Sequence, residues 1–252
     1  MLVLLIILLL SIDVAHTLQC ITNCSIGNFR FDEPISIPDG RCQQRKSKSD
    51  CTMSLKFLYH QHTYNAEFDT IVLPSDFIYI SSGSYLFYTI SYECSKQTDC
   101  VLTYAQNRIN EMTRRTYNAN RIYGQLAPFI QNSTRQGSIQ CYNTRNQIIE
   151  CSPSESCSLD YDQRAKKVRS RGCSSDKDPT VSMYDGKSYS SFDVSCNRNL
   201  CNDDATFEQI KTIFVNNGLT DDNGRRIAAG TKEMASIFLI LLPFISIIVS
   251  YF

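Results

Sequence analysis

Residues 195–203 read SCNRNLCND, two cysteines five positions apart with an asparagine directly after the second. In a reducing compartment such a pair points to a metal site. In an oxidising one it points to a small disulfide loop that closes a domain. The compartment therefore decides how Cys196, Cys201 and Asn202 are read. Two apolar ends of the chain bear on it.

The first is MLVLLIILLLSIDVAHTLQC, in which Leu2 to Leu10 form an unbroken apolar run too short to span a bilayer, followed by small and polar residues. Residues 1–17 are expected to be a secretory signal peptide, with Cys20 near the mature start. At the other end, residues 236–252 read SIFLILLPFISIIVSYF without a charge. A helix over 234–252 would nearly cover the hydrocarbon thickness, but no basic residues follow it to fix a cytoplasmic side. An uncharged tail preceded by a polar spacer and small residues is the pattern for replacement by a glycosylphosphatidylinositol (GPI) anchor. Asp222-Asn223-Gly224 and Ala228-Ala229-Gly230 supply candidate attachment sites at Asp222, Asn223 and Ala228. The spacer falls within 203–233, together with a helix, and the apolar signal is 234–252.

The chain holds 12 cysteines, none in either end segment, and an even count in a secreted chain implies a disulfide framework. Net charge is zero, so no overall field recruits nucleic acid. Six cysteines, Cys20 to Cys100, precede a cysteine-free stretch, and six more, Cys141 to Cys201, follow it. Each half can close its own bridges, although the count alone leaves many pairings open. Between the halves, VLTYAQNRINEMTRR places Leu102, Ala105, Ile109 and Met112 at helical spacing, predicting a short helix in a linker over 101–140. Asn132-Ser133-Thr134 is a glycosylation sequon, and Asn23-Cys24-Ser25 a second.

The second half, through QCYN, EC, SC, RGC and SCNRNLCN, resembles the lymphocyte-antigen-6/urokinase-receptor (LU) superfamily of three-fingered domains, whose last cysteine is followed by Asn and preceded by another five positions earlier. The resemblance covers residues 141–202. It implies the pairs Cys141–Cys157, Cys151–Cys173 and Cys196–Cys201, and a structural role for Asn202 within the palm. Hairpin fingers are expected over 141–151, over 158–172 with a turn near Asp162, and over 174–195 with a turn at Asp185-Gly186. The first half, 18–100, is similar to the family only at its ends and is expected to be a divergent disulfide-rich β module, with Cys20–Cys51, Cys24–Cys42 and Cys94–Cys100 as plausible pairs. Its segments SLKFLYHQ and DFIYISSGSYLFYTISYEC alternate as strands do. The expected fold class is all-β with minor α.

Catalytic patterns are absent from the sequence. His60 and His62 are spaced for one face of a strand, but two imidazoles do not close a zinc site, so neither metal nor cofactor is expected. In RAKKVRSR, residues 164–171, strand spacing would align Lys167, Arg169 and Arg171 as a basic stripe, and Tyr161 and Tyr184 are further contact candidates. The reading is a non-enzymatic, GPI-anchored cell-surface protein that binds an extracellular or membrane protein through LU-like fingers. Alternatives are a secreted or anchored hydrolase with a site around His60, His62 and Asp69, and a structural or adhesion protein of the surface.

Overall fold

The computed structural model describes residues 18–37, 40, 42–47, 50–70, 74–95 and 100–226. The expected signal peptide, the apolar tail and Ala228 lie outside the described residues. The chain is mostly β. Strands β1 (Leu18–Thr22), β2 (Cys24–Arg30), β3 (Gln43–Ser47), β4 (Cys51–Leu58), β5 (Thr63–Phe68), β6 (Ser75–Ser81) and β7 (Tyr85–Cys94) come first. Helices α1 (Cys100–Met112) and α2 (Ala119–Ile130) follow. Strands β8 (Ile139–Tyr142), β9 (Ile148–Cys151), β10 (Ser156–Asp162), β11 (Lys167–Ser174), β12 (Thr180–Gly186) and β13 (Ser190–Cys196) then lead into helix α3 (Asp204–Asn216).

Two compact units result, one from described residues within 18–75 and 88–114, the other from 76–87 and 115–226. The division departs from the expected one in two places. Residues 76–87 belong with the second half of the chain, and the anticipated linker is shared out, α1 going to the first unit and α2 to the second.

In the first unit, β4 alternates cleanly. Cys51, Met53, Leu55 and Phe57 are buried while Thr52, Ser54 and Lys56 are half-exposed, the period of two that a strand with one covered face demands. Its partner β5 buries Tyr64, Ala66 and Phe68 in register, with Phe57 opposite Tyr64, Leu55 opposite Ala66 and Met53 opposite Phe68. Strand β2 joins on the far side of β5, with a bulge between Ile26 and Phe29. Gly27 sits at that bulge, where an added Cβ would lie 2.6 Å from the Asn65 side-chain oxygen. The same oxygen accepts from the Asn28 N–H at 2.8 Å. Helix α1 covers this unit with Val101, Ala105, Ile109 and Met112. Val101, four residues before Ala105, is buried in place of the expected Leu102, which is half-exposed. The Tyr59 hydroxyl donates to the Met112 carbonyl at 2.9 Å, and Tyr104 stacks on Tyr92 at 3.6 Å.

The second unit is built on a sheet ordered β11-β10-β13-β12-β6, with the start of β7 beside β6. Strands β8 and β9 form a separate hairpin. Phe192 and Val194 of β13, Leu159 of β10, and Val181 and Met183 of β12 point to the covered side. There Phe192 meets Phe207 and Phe214 of α3, with ring centroids 5.6 and 4.7 Å apart. Helix α2 buries Ala119, Ile122, Leu126 and Ile130, and the Asn118 side chain caps its start by accepting from the Arg121 N–H. Helix α3 begins at Asp203, whose carboxylate accepts from the Thr206 N–H. It ends where Gly218, at φ 67°, lets the Leu219 N–H reach the Phe214 carbonyl and its own N–H the Val215 carbonyl.

Six disulfides close these units: Cys20–Cys51, Cys24–Cys42 and Cys94–Cys100 in the first, Cys141–Cys157, Cys151–Cys173 and Cys196–Cys201 in the second. The pairs coincide with those given above, and no bridge joins one unit to the other. Loops of 16 and 22 residues, as closed by Cys141–Cys157 and Cys151–Cys173, each restrict the unfolded chain by about 3 kcal/mol. Beside them Asn202, 1% exposed, ties two strands together. Its amide nitrogen donates to the carbonyls of Tyr142 and Ser158, and its oxygen accepts from the Tyr142 N–H, all at 2.9 Å.

Replacing Asn202 by Ala removes three hydrogen bonds from one main-chain N–H and two carbonyls at half-buried positions, so Asn202→Ala should lower unfolding stability by about 2–4 kcal/mol. The exposed Asn199, which accepts one bond from the Gln140 N–H, should cost under about 1 kcal/mol on the same change. Urea unfolding with the bridges intact measures both.

Candidate functional site

A strand carries one side chain in two to each face, so which residues share a surface depends on register. In β11 the register shifts opposite Asp160/Tyr161: Val168 faces Tyr161 and Ser170 faces Asp160, leaving Arg169 as the extra residue. The bulge breaks the anticipated stripe of Lys167, Arg169 and Arg171. Lys167 is exposed. Arg169 turns to the outer face and pairs with the Asp160 carboxylate. Arg171 goes to the other side, 7% exposed, where it donates to the Asn146 side-chain oxygen at 2.6 Å and pairs with Asp204. Arg171 is thus a strut between the β8–β9 turn and the start of α3, and it is withdrawn from the contact surface. Tyr161 is also drawn inward, its ring 4.5 Å from Phe207.

Tyr184 stays on the outer face, and the structure surrounds it with residues the sequence analysis did not single out. Tyr189 lies 5.8 Å from it, and the Arg169 guanidinium sits over the Tyr189 ring at 4.6 Å, within cation–π range. Strand β6 neighbours β12 in the sheet. Arg226 donates its N–H to Asp185 of β12 and pairs its guanidinium with Asp76 of β6, which places the two aspartates on the same side. By alternation, Phe77 and Tyr79 share the opposite side with Tyr184.

Phe77, Tyr79, Tyr85 and Phe87 form a half-exposed ladder there, Tyr79 against Phe87 at 5.0 Å, Phe77 against Phe87 at 5.8 Å and Tyr85 against Phe87 at 5.6 Å. Behind them Ile78, Ile80 and Leu86 are fully buried. The signal was present in FIYISSGSYLFY, a hairpin apolar on both faces. A strand with one wet face alternates apolar with polar, so aromatics in the outward positions point to a surface with more than solvation to do.

The charged part of this face is under electrostatic tension. Asp193 of β13 stands directly opposite Asp160 of β10, and like charges in that position repel. Burial and the Asp160 carboxylate push the Asp193 carboxyl above its ordinary value, against a hydrogen bond from the Ser191 hydroxyl and the field of Arg169, which pull it down. Two carboxylates and one arginine beside six aromatic rings of Tyr and Phe offer both polar and apolar contact to a macromolecule.

The remaining candidates are distributed elsewhere. Asn132 is exposed just past α2, its oxygen accepting from the Thr134 N–H and hydroxyl at 3.1 and 3.0 Å, and it borders a polar cavity of about 430 Å³ with Arg135, Glu155 and Lys177. Asn23 is exposed at φ 52° between β1 and β2. Asp222 and Asn223 occupy the exposed tip of a turn. His60 and His62, expected within a strand, lie instead in the β4–β5 turn, with His62 at φ 55° beside Phe31. Asp69 follows the far end of β5, about 20 Å of strand away, so these three do not converge on one pocket.

A carboxyl whose value rises on folding stabilises the native state fully only below its unfolded value of about 3.9, and that contribution is lost as pH climbs through the folded value. Asp193→Asn fixes the neutral form while keeping an oxygen for Ser191. The variant should melt higher than the parent at neutral pH, with the advantage vanishing near about pH 3; thermal melts at the two pH values check it. As to known proteins, no protein-family model matches the chain, and no curated protein matches it in sequence.

Proposed function

We propose that this chain is a cell-surface binding protein, held to the outer leaflet by a GPI anchor, whose LU-like second unit recognises another protein through the outer sheet face. The observation that carries the reading is the ladder of Phe77, Tyr79, Tyr85 and Phe87 running toward Tyr184, Tyr189 and Arg169. Tyr, Phe and Arg are the residue types that concentrate binding energy at protein interfaces. The half-exposed rings are held rigid by strands, so little side-chain freedom is lost on contact.

Membership of the LU superfamily is supported by three antiparallel hairpins, β8–β9, β10–β11 and β12–β13. It is also supported by bridges in the pairing the resemblance implies and by the hydrogen bonds of Asn202. The six disulfides belong to an oxidising, extracytoplasmic setting. Among the described residues no helix is long and apolar enough to cross a membrane, and the anchor reading rests on the C-terminal apolar pattern. Lys167 and Arg169 at the edge of the second finger are polar flanks to the aromatic centre, and Tyr184 belongs to the centre itself. Neither a metal nor a cofactor enters this role.

The test uses protein released from cells by a phosphatidylinositol-specific phospholipase, labelled and titrated onto a panel of cell types. The paired change Tyr79→Ser with Phe87→Ser should weaken saturable binding by at least about tenfold while the melting curve stays close to that of the parent. Lys167→Glu, at the rim, should change binding by less than about threefold. Undiminished binding by the aromatic variant would move the contact surface elsewhere.

A further inference from the structure

The last described segment, Asp221–Arg226, is the part of the second unit nearest in sequence to the expected lipid. It forms a closed turn. The Asp221 N–H donates to the Arg225 carbonyl and the Gly224 N–H to the Asp221 carbonyl, both at 2.8 Å, and Thr220 bridges to Arg226. The Asp221 carboxylate accepts from the N–H groups of Asn223 and Arg225 at 2.9 and 2.8 Å. Gly224 is buried at φ 70°, and a Cβ there would fall 2.0 Å from the Gln163 side-chain oxygen. Only glycine fits.

What the turn delivers is a pair of cations. Arg225 sets its Nε 3.0 Å from the Asp185 carboxylate, and Arg226 sets its guanidinium 3.4 Å from that of Asp76. The side chains of Asp185 and Asp76 are 4% and 2% exposed. Every hydrogen bond described for the Asp185 side chain comes from Arg225 or from the Arg226 N–H. Removing a cation from beside a buried carboxylate withdraws charge compensation from a desolvated group, a costly change for a fold.

We propose that Asp221–Arg226 is a latch retained in the mature protein, so that the lipid is attached at neither Asp222 nor Asn223. The proposal rests on the anchor reading above. Attachment at Asp222 or Asn223 would discard Gly224, Arg225 and Arg226 and strip both buried aspartates of these partners. Tolerance of a chain end follows from the burial and bonding of the backbone it removes, and here the tip residues are exposed while the next three are built into the unit.

The full-length chain is expressed on cells, released by phosphatidylinositol-specific phospholipase, and its C-terminal peptide is identified by mass spectrometry through the ethanolamine phosphate it carries. A last residue at or beyond Arg226 is the expected result. A last residue before Arg226 overturns the proposal and leaves the anchor reading intact, whereas no release and no ethanolamine phosphate removes the anchor reading itself.

A second arm addresses the latch. Arg225→Ala with Arg226→Ala should reduce surface protein several-fold, and adding Asp76→Asn with Asp185→Asn should restore most of it, because removing both partners of a buried pair is far milder than removing one. The fraction of surface protein released by phospholipase reports attachment separately and should stay constant across the set. Unchanged surface levels in the double-arginine variant, or no recovery in the fourfold one, would show that the arginines do not hold the fold.

Discussion

The buried carboxamide of Asn202 holds three main-chain groups of two strands at a single point. Its neighbours act on the same point. Cys201 before it closes the loop back to Cys196, and Asp203 after it caps the helix that covers the sheet. Three consecutive residues therefore supply a covalent tie, a polar cross-brace and a helix start, each of which requires a specific side chain. The aromatic packing of Phe192 with Phe207 and Phe214 can form only once α3 is aimed across the sheet, and it is this junction that aims it.

The outer face depends on the same construction at one remove. With helices and bridges on one side of the sheet, the opposite side is left to carry side chains that packing does not dictate. Aromatics there do not strengthen the covered core. They lie against one another and against an arginine held by a carboxylate, which keeps a broad apolar surface in a fixed shape. The Asp160 and Asp193 pair shows the same priority, since a facing pair of carboxylates costs stability and is offset only in part by Arg169 and Ser191.

Much of the second unit was legible because its constraints are local. Hairpins announce themselves through turn residues and alternation, and Cys201-Asn202 marks where they converge. What escaped has a physical cause in each case. The bulge at Arg169 depends on how β10 and β11 slide past each other, which no single strand encodes, so strand spacing alone puts Arg171 on the wrong face. Helix α2 is written ANRIYGQLAPFI, in which Gly124 and Pro128 mask an apolar spacing that the Asn118 cap reinforces. The association of 76–87 with residues far along the chain is a matter of sheet order. In the aromatic face, alternation marks the strands, but apolar residues in both phases of one strand do not by themselves say which of them face outward.

Each of the six crosslinks spans a short stretch of chain, from 5 residues for Cys196–Cys201 to 31 for Cys20–Cys51. A sulphur atom emerging into the lumen of the secretory pathway therefore meets its correct mate within a few seconds of further synthesis, at a rate of roughly 5–20 residues each second. Oxidation can keep pace with translocation at Cys94–Cys100 and Cys196–Cys201, where the next cysteine to emerge is the right one, whereas Cys20 meets Cys24 and Cys42 before Cys51, and Cys141 meets Cys151 before Cys157, so those four bridges need the fold or an isomerase to choose between mates.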